Sequence, residues 1–126
     1  MVAVLDASAL VAVARKERGF ESALPFLDAA VLSTVNTVEV IEVLGRFGNP
    51  PEFVRELIAD LGIGLEPFSE RQALIAASIA VHTRHLGLSL GDRACLAVAS
   101  DLGGVAVTAD RVWGELHLDV EIVVIR

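Results

Sequence analysis

Short, unbroken, valine-rich apolar runs alternate with helical segments along this chain, and that alternation limits the folds open to it. "VAVL" at 2–5, "VLS" at 31–33, "GLEPF" at 64–68, "VAVT" at 105–108 and "VEIVVI" at 120–125 read as strands. They are too short for helices and show no polar alternation, as expected of strands covered on both faces. Between them lie helical segments at 8–17, 20–30 (bent by Pro25), 34–47, 51–62, from the Ser69 cap to about His82, and from about Ser89 to Gly103. "SERQ" at 69–72 has the spacing of a capping box, and "GNPP" at 48–51 is a stop. Strands alternating with helices predict an α/β fold of three layers, α/β/α, around a short parallel sheet. The 126 residues, 54% of them apolar, suit one domain over 1–126. In helix 34–47, Val38, Ile41 and Leu44 mark the predicted core stripe, widened by Val40, Val43 and Phe47.

The single cysteine, Cys95, forms no internal disulfide, and with three scattered histidines it gives no zinc spacing. A cytoplasmic protein is expected, with no signal peptide and no membrane span. The net charge is −7, the wrong sign for general nucleic-acid affinity. It fits either a solubilising surface or acids gathered around a cation or a basic partner.

The positions of four acids favour gathering. Asp6 ends the first strand, Asp110 follows "VAVT", Glu39 lies in a mostly apolar helix, and Asp92 sits in the first turn of another. Strand ends in parallel sheets form the usual ligand rim. Each acid has an ordinary alternative. Asp6 can cap a helix, Asp92 can complete a capping box with Ser89, and Asp110 can serve a turn. Glu42 has a partner in Arg46 four residues on, whereas Glu39 has none and borders the core. Four acids sharing one cause is the simpler reading. Oxygen ligands without His or Cys suit a hard cation, Mg²⁺ or Mn²⁺. Such a centre polarises a phosphoryl oxygen and activates water for phosphodiester hydrolysis.

"VLDASAL", "STVNTVEVIEVLGR", "LSLGDRACLAVA" and "VAVTADRVW" resemble, in order and spacing, the four acidic blocks of the PIN-domain nucleases, and in particular the VapC-type toxins of toxin–antitoxin pairs. The resemblance implies a metal-dependent endoribonuclease with Asp6, Glu39, Asp92 and Asp110 as catalytic, metal-binding acids. It selects Glu39 over Glu42 through "NTVE" and gives Ser8 and Thr108 supporting polar roles. It further implies a homodimer held inactive by a small antitoxin with a basic segment. Position alone offers Arg15, Lys16, Arg93 and Arg111 as RNA phosphate contacts. The apolar helices at 34–47 and 51–62 fit either a dimer face or the core.

Competing readings are other Mg²⁺-dependent α/β phosphohydrolases and a catalytically silent PIN-fold binding module. Haloacid-dehalogenase phosphatases require an acid where Ser8 stands. Receiver domains require a late Lys, and none follows Lys16. No G-x-G-x-x-G follows a strand, against dinucleotide binding. All four acids are present, against the silent module.

Overall fold

A computed structural model describes all of residues 1–126. Five parallel strands form one sheet: β1 (Ala3–Leu5), β2 (Ala30–Ser33), β3 (Gly64–Glu66), β4 (Val105–Thr108) and β5 (Glu121–Val124). Their spatial order is β3-β2-β1-β4-β5. The chain builds outward from β1 on one side through β2 and β3, then returns to β1's other edge with β4. The order therefore reverses at β1, and the crevice between β1 and β4 is the switch point at the carboxyl ends of the strands.

Side chains of the central strands alternate between two cores, as the strand period of two requires. Ala3 and Leu5 of β1, with Val105 and Val107 of β4, face α1 (Ala7–Arg15), α2 (Phe20–Ala23), α3 (Thr34–Arg46) and α4 (Pro51–Asp60). Val4 and Ala106 face α5 (Glu70–Thr83) and α6 (Leu90–Leu102) on the other side, together with Trp113. The expected α/β/α layering is thus realised. The segment after α2 is a 3-10 helix, Leu24–Ala29, with Pro25 in its first turn, rather than a continuation of one bent helix. A 3-10 turn at Arg84–Leu86 follows α5, and another at Arg111–Glu115 follows β4. Ser69 and Gln72 form the expected capping box of α5.

The core face of α3 differs from the sequence expectation. Val38 is 55% exposed and Phe47 is also exposed, while Asn36, Val40 and Leu44 are buried. Positions 36, 40 and 44 form one i, i+4 row, so the packed stripe begins with a polar residue that a search for apolar period passes over. No helix is long and apolar enough to cross a membrane.

Candidate active site: an acid-lined cavity at the switch point

Asp6 leaves β1 and caps α1. Its backbone N–H still pairs with Val107 O at 3.0 Å, so the residue is fixed by the sheet before the helix begins. Its carboxylate then accepts hydrogen bonds from three donors. Ala9 N donates to Oδ1 at 2.9 Å, which is the capping contact. Ser8 Oγ lies 2.7 Å from Oδ1 and 2.9 Å from Oδ2, and Thr108 Oγ1 donates to Oδ2 at 2.6 Å. The two hydroxyls are themselves oriented from the β4 side: Ala109 N donates to Ser8 Oγ at 2.9 Å, and Asp110 N donates to Thr108 Oγ1 at 3.0 Å. Ser8 and Thr108 thus stitch the end of β1 to the end of β4 across the crevice.

Asp6 is only 4% exposed. Burial pushes its carboxyl up from 3.8 to about 6, and the Asp92 charge adds to the rise, against the lowering effect of the Thr108, Ala9 and Ser8 hydrogen bonds. No basic side chain bonds to it. A buried carboxylate held open in this way is set to receive positive charge.

Glu39 comes from α3. Asn36 Nδ2 donates to Glu39 Oε1 at 2.9 Å and to Gly91 O at 3.0 Å, joining α3 to the first turn of α6. The Glu39 carboxylate lies where a side chain at position 91 would stand, so glycine there leaves the carboxylate its place. Asp92, one residue on, is brought to the same rim. The capping box with Ser89 is present: Asp92 Oδ2 accepts from Ser89 N at 2.9 Å, and Ser89 Oγ accepts from Asp92 N at 3.1 Å. Asp110 Oδ1 likewise accepts from Val112 N at 3.0 Å. The ordinary local roles of Asp6, Asp92 and Asp110 are therefore real and coexist with their gathering.

All four acids line one cavity of about 470 Å³. Ala7, Ser8, Val11, Val43, Phe47, Glu17, Arg46 and Arg126 complete its wall. Carboxylates outnumber guanidiniums there by five to two. Arg46 faces this cavity and makes no ion pair with Glu42, contrary to the i, i+4 expectation. Arg15 does not reach the cavity. Its guanidinium lies 3.3 Å from the Phe47 ring centroid and 3.3 Å from Glu17 Oε2. Lys16 sits in a left-handed conformation at the end of α1, and neither it nor Arg93 lines the cavity. Arg111 lies in an adjoining cleft. Arg46 and Arg126 were not visible as site residues in the sequence.

No three His, Cys, Asp or Glu side chains stand close enough together to make a ready metal cage. The donors nevertheless fit a hard cation. They are all oxygen, and Mg²⁺ retains several waters while taking one or two carboxylates. Asp6, buried beside Asp92 with no basic side chain bonded to it, supplies the uncompensated charge such an ion relieves.

Beneath the acids, Cys95 is fully buried, with Sγ 3.7 Å from Val4 O. Burial, and then the charges of Asp6, Asp92 and Glu39, push its thiol well above its ordinary value. Native protein is accordingly expected to resist an aromatic disulfide reagent, and denatured protein to react with one equivalent. Fast labelling of native protein would contradict this packing.

The chain is thus a parallel α/β domain with four carboxylates around the crevice at its switch point. The PIN domain family model matches residues 3–117, and the chain belongs to that family. Similar solved structures include a toxin–antitoxin complex from Klebsiella pneumoniae (TM-score 0.74, 16% identity, 98% of each chain covered). Others are VapBC2 from Rickettsia felis bound to a promoter DNA fragment (0.76, 12%, 98% of each chain) and VapBC-5 from Mycobacterium tuberculosis (0.68, 22%, 100% of this chain and 99% of that one). At these identities the likeness is one of fold. No curated protein sequence matches the chain.

Proposed function

We propose that this protein is a Mg²⁺- or Mn²⁺-dependent endoribonuclease and the toxin of a toxin–antitoxin pair. The observation that carries the reading is the meeting of Asp6, Glu39, Asp92 and Asp110, from four separate segments, on one cavity. Family membership and the toxin–antitoxin complexes among the structural relatives support it.

Asp6, Glu39, Asp92 and Asp110 would hold the ion. When bound, it supplies Lewis-acid polarisation of the scissile phosphate and a more acidic water. Ser8 and Thr108 hold the Asp6 carboxylate in one orientation, with their hydroxyl protons directed at it. Asn36 does the same for Glu39. Val11, Val43 and Phe47 give the cavity an apolar side that limits water around the reacting phosphate. The excess of carboxylates also suits an antitoxin that inserts a basic side chain and blocks the site. A homodimer in the cytoplasm completes the proposal.

Purified protein is expected to cleave RNA in Mg²⁺ or Mn²⁺, to lose cleavage in EDTA and to regain it on adding the ion back. Expression should arrest growth, and Asp6→Ala should relieve the arrest. Robust cleavage that is indifferent to EDTA would sink the reading.

A further inference from the structure

The acid cavity poses a problem for a polyanionic substrate: its wall is mostly negative. The compensating charge lies next door. A second cleft of about 580 Å³ is lined by Ser8, Arg18, Ala109, Asp110, Arg111 and Arg126. Here three guanidiniums face one carboxylate. Ser8, Asp110 and Arg126 line both spaces, so the cleft opens directly beside the acids.

Arg126 is held in place. Its Nε donates to Ala109 O at 3.3 Å and its Nη1 to Arg18 O at 3.5 Å, with Glu17 Oε1 3.9 Å away. The backbone beneath it is fixed by Ile125 N donating to Thr108 O at 2.9 Å. Gly19, at φ +90°, permits this approach, because a methyl there would overlap Ile125 O and come within 2.8 Å of Arg126 Cβ. Arg18 and Arg111 are exposed and form neither an ion pair nor a side-chain hydrogen bond. Their donors are free, and a planar guanidinium presents paired N–H groups that match phosphate oxygens.

We propose that Arg18, Arg111 and Arg126 form a phosphodiester-binding subsite that seats a nucleic-acid strand beside the acid cavity. The inference rests on the ribonuclease reading and specifies how an acidic protein holds its substrate. It replaces Arg15, Lys16 and Arg93 as phosphate contacts and keeps Arg111. Arg15 is occupied by Phe47 and Glu17, and Lys16 and Arg93 line neither space.

The test is binding of a labelled single-stranded oligoribonucleotide, by fluorescence anisotropy in EDTA, over a series of potassium chloride concentrations. Arg18→Gln/Arg111→Gln should bind roughly ten-fold more weakly than wild type. Its slope of log affinity against log salt should be shallower by about 1.4, since each single-strand phosphate contact contributes about 0.7. Arg84→Gln removes a charge that lines neither cleft and should match wild type. The melting temperature of the double variant should be unchanged, because neither side chain makes a hydrogen bond or an ion pair. Wild type that binds no RNA at low salt, or a double variant with wild-type affinity and slope, overturns the proposal. So does displacement of the RNA by polyglutamate or inorganic phosphate at matched charge concentration, which would assign the cleft to those anions. Cleavage in Mg²⁺ is scored separately. Cleavage by wild type with undiminished binding by the double variant removes the subsite and spares the nuclease. Weakened binding with no cleavage by wild type supports the subsite and removes the nuclease.

Discussion

Asp6→Asn is expected to raise the melting temperature of metal-free protein at neutral pH while abolishing divalent-ion-dependent cleavage. The two effects have one origin. Asp6 is buried, and its folded carboxyl titrates at about 6 against an ordinary 3.8. A raised carboxyl means that the folded state binds the proton more tightly than the unfolded state. Stability is then greatest below the unfolded value and falls as pH rises towards the folded one. Above about 6 the full cost of the buried charge is in force. A shift of about two units corresponds to ~3 kcal/mol.

Asparagine keeps the capping acceptor for Ala9 N and removes the charge. The Ser8 and Thr108 hydroxyls can each turn to accept from the new amide. Metal-free variant should therefore melt roughly 5–10 °C above wild type at neutral pH. The gap should close as pH falls towards 4, where wild type also carries a neutral side chain. Saturating Mg²⁺ or Mn²⁺ should close the gap, stabilising wild type by about 2.7 kcal/mol at one hundred times the dissociation constant and leaving the variant unmoved. Differential scanning fluorimetry across pH, with and without the ion, reads all of this. A variant that melts well below wild type at neutral pH would show that the ionised Asp6 stabilises the metal-free fold rather than straining it.

The strand–helix alternation was enough to place Asp6 and Asp110 at strand ends and to indicate three layers, because the strands are unbroken apolar runs and the helices carry their own caps. The order β3-β2-β1-β4-β5 was not legible, since it is fixed by which edges pair rather than by any one segment. That order makes β1 and β4 neighbours, and so allows Thr108 to donate to an Asp6 that lies 102 positions away in sequence. Local and global uses of an acid also hide each other. The Ser89–Asp92 spacing reads as a capping box and is one, yet the same residue borders the cavity. Arg18 and Arg126 gave no signal because they stand 108 positions apart and meet only when Gly19 lets the end of β5 close over α1's exit. The burial of Asn36 escaped the helix pattern because an amide at a core position looks like a break in the stripe. Its reward is a bond to Gly91 O that no periodicity encodes.

The Asn36–Glu39–Gly91 contact leads to the second large effect, a glycine whose replacement should strengthen the fold and weaken the chemistry. Gly91→Ala places a methyl where the Glu39 carboxylate now lies. What it meets is the far end of a flexible side chain, so the backbone can stay and the carboxylate must turn away. Alanine also favours helix over glycine by up to about 1 kcal/mol. Folding stability should be equal to or slightly above that of wild type. The displaced carboxylate loses the 2.9 Å bond from Asn36 Nδ2 and its place on the cavity wall. Disturbing the residues that orient metal ligands typically costs 10–100-fold in metal affinity or activity, and a loss of that order is expected in cleavage. Gly45→Ala provides the matched comparison. Gly45 lies in α3 with no atom within 4 Å of a built methyl, so it should gain the same helical preference and leave cleavage unchanged. Equal cleavage by both alanine variants would show that Glu39's position against Gly91 has no part in the reaction. Loss confined to Gly91→Ala, at undiminished melting temperature, would tie the activity to a carboxylate placed by helix approach.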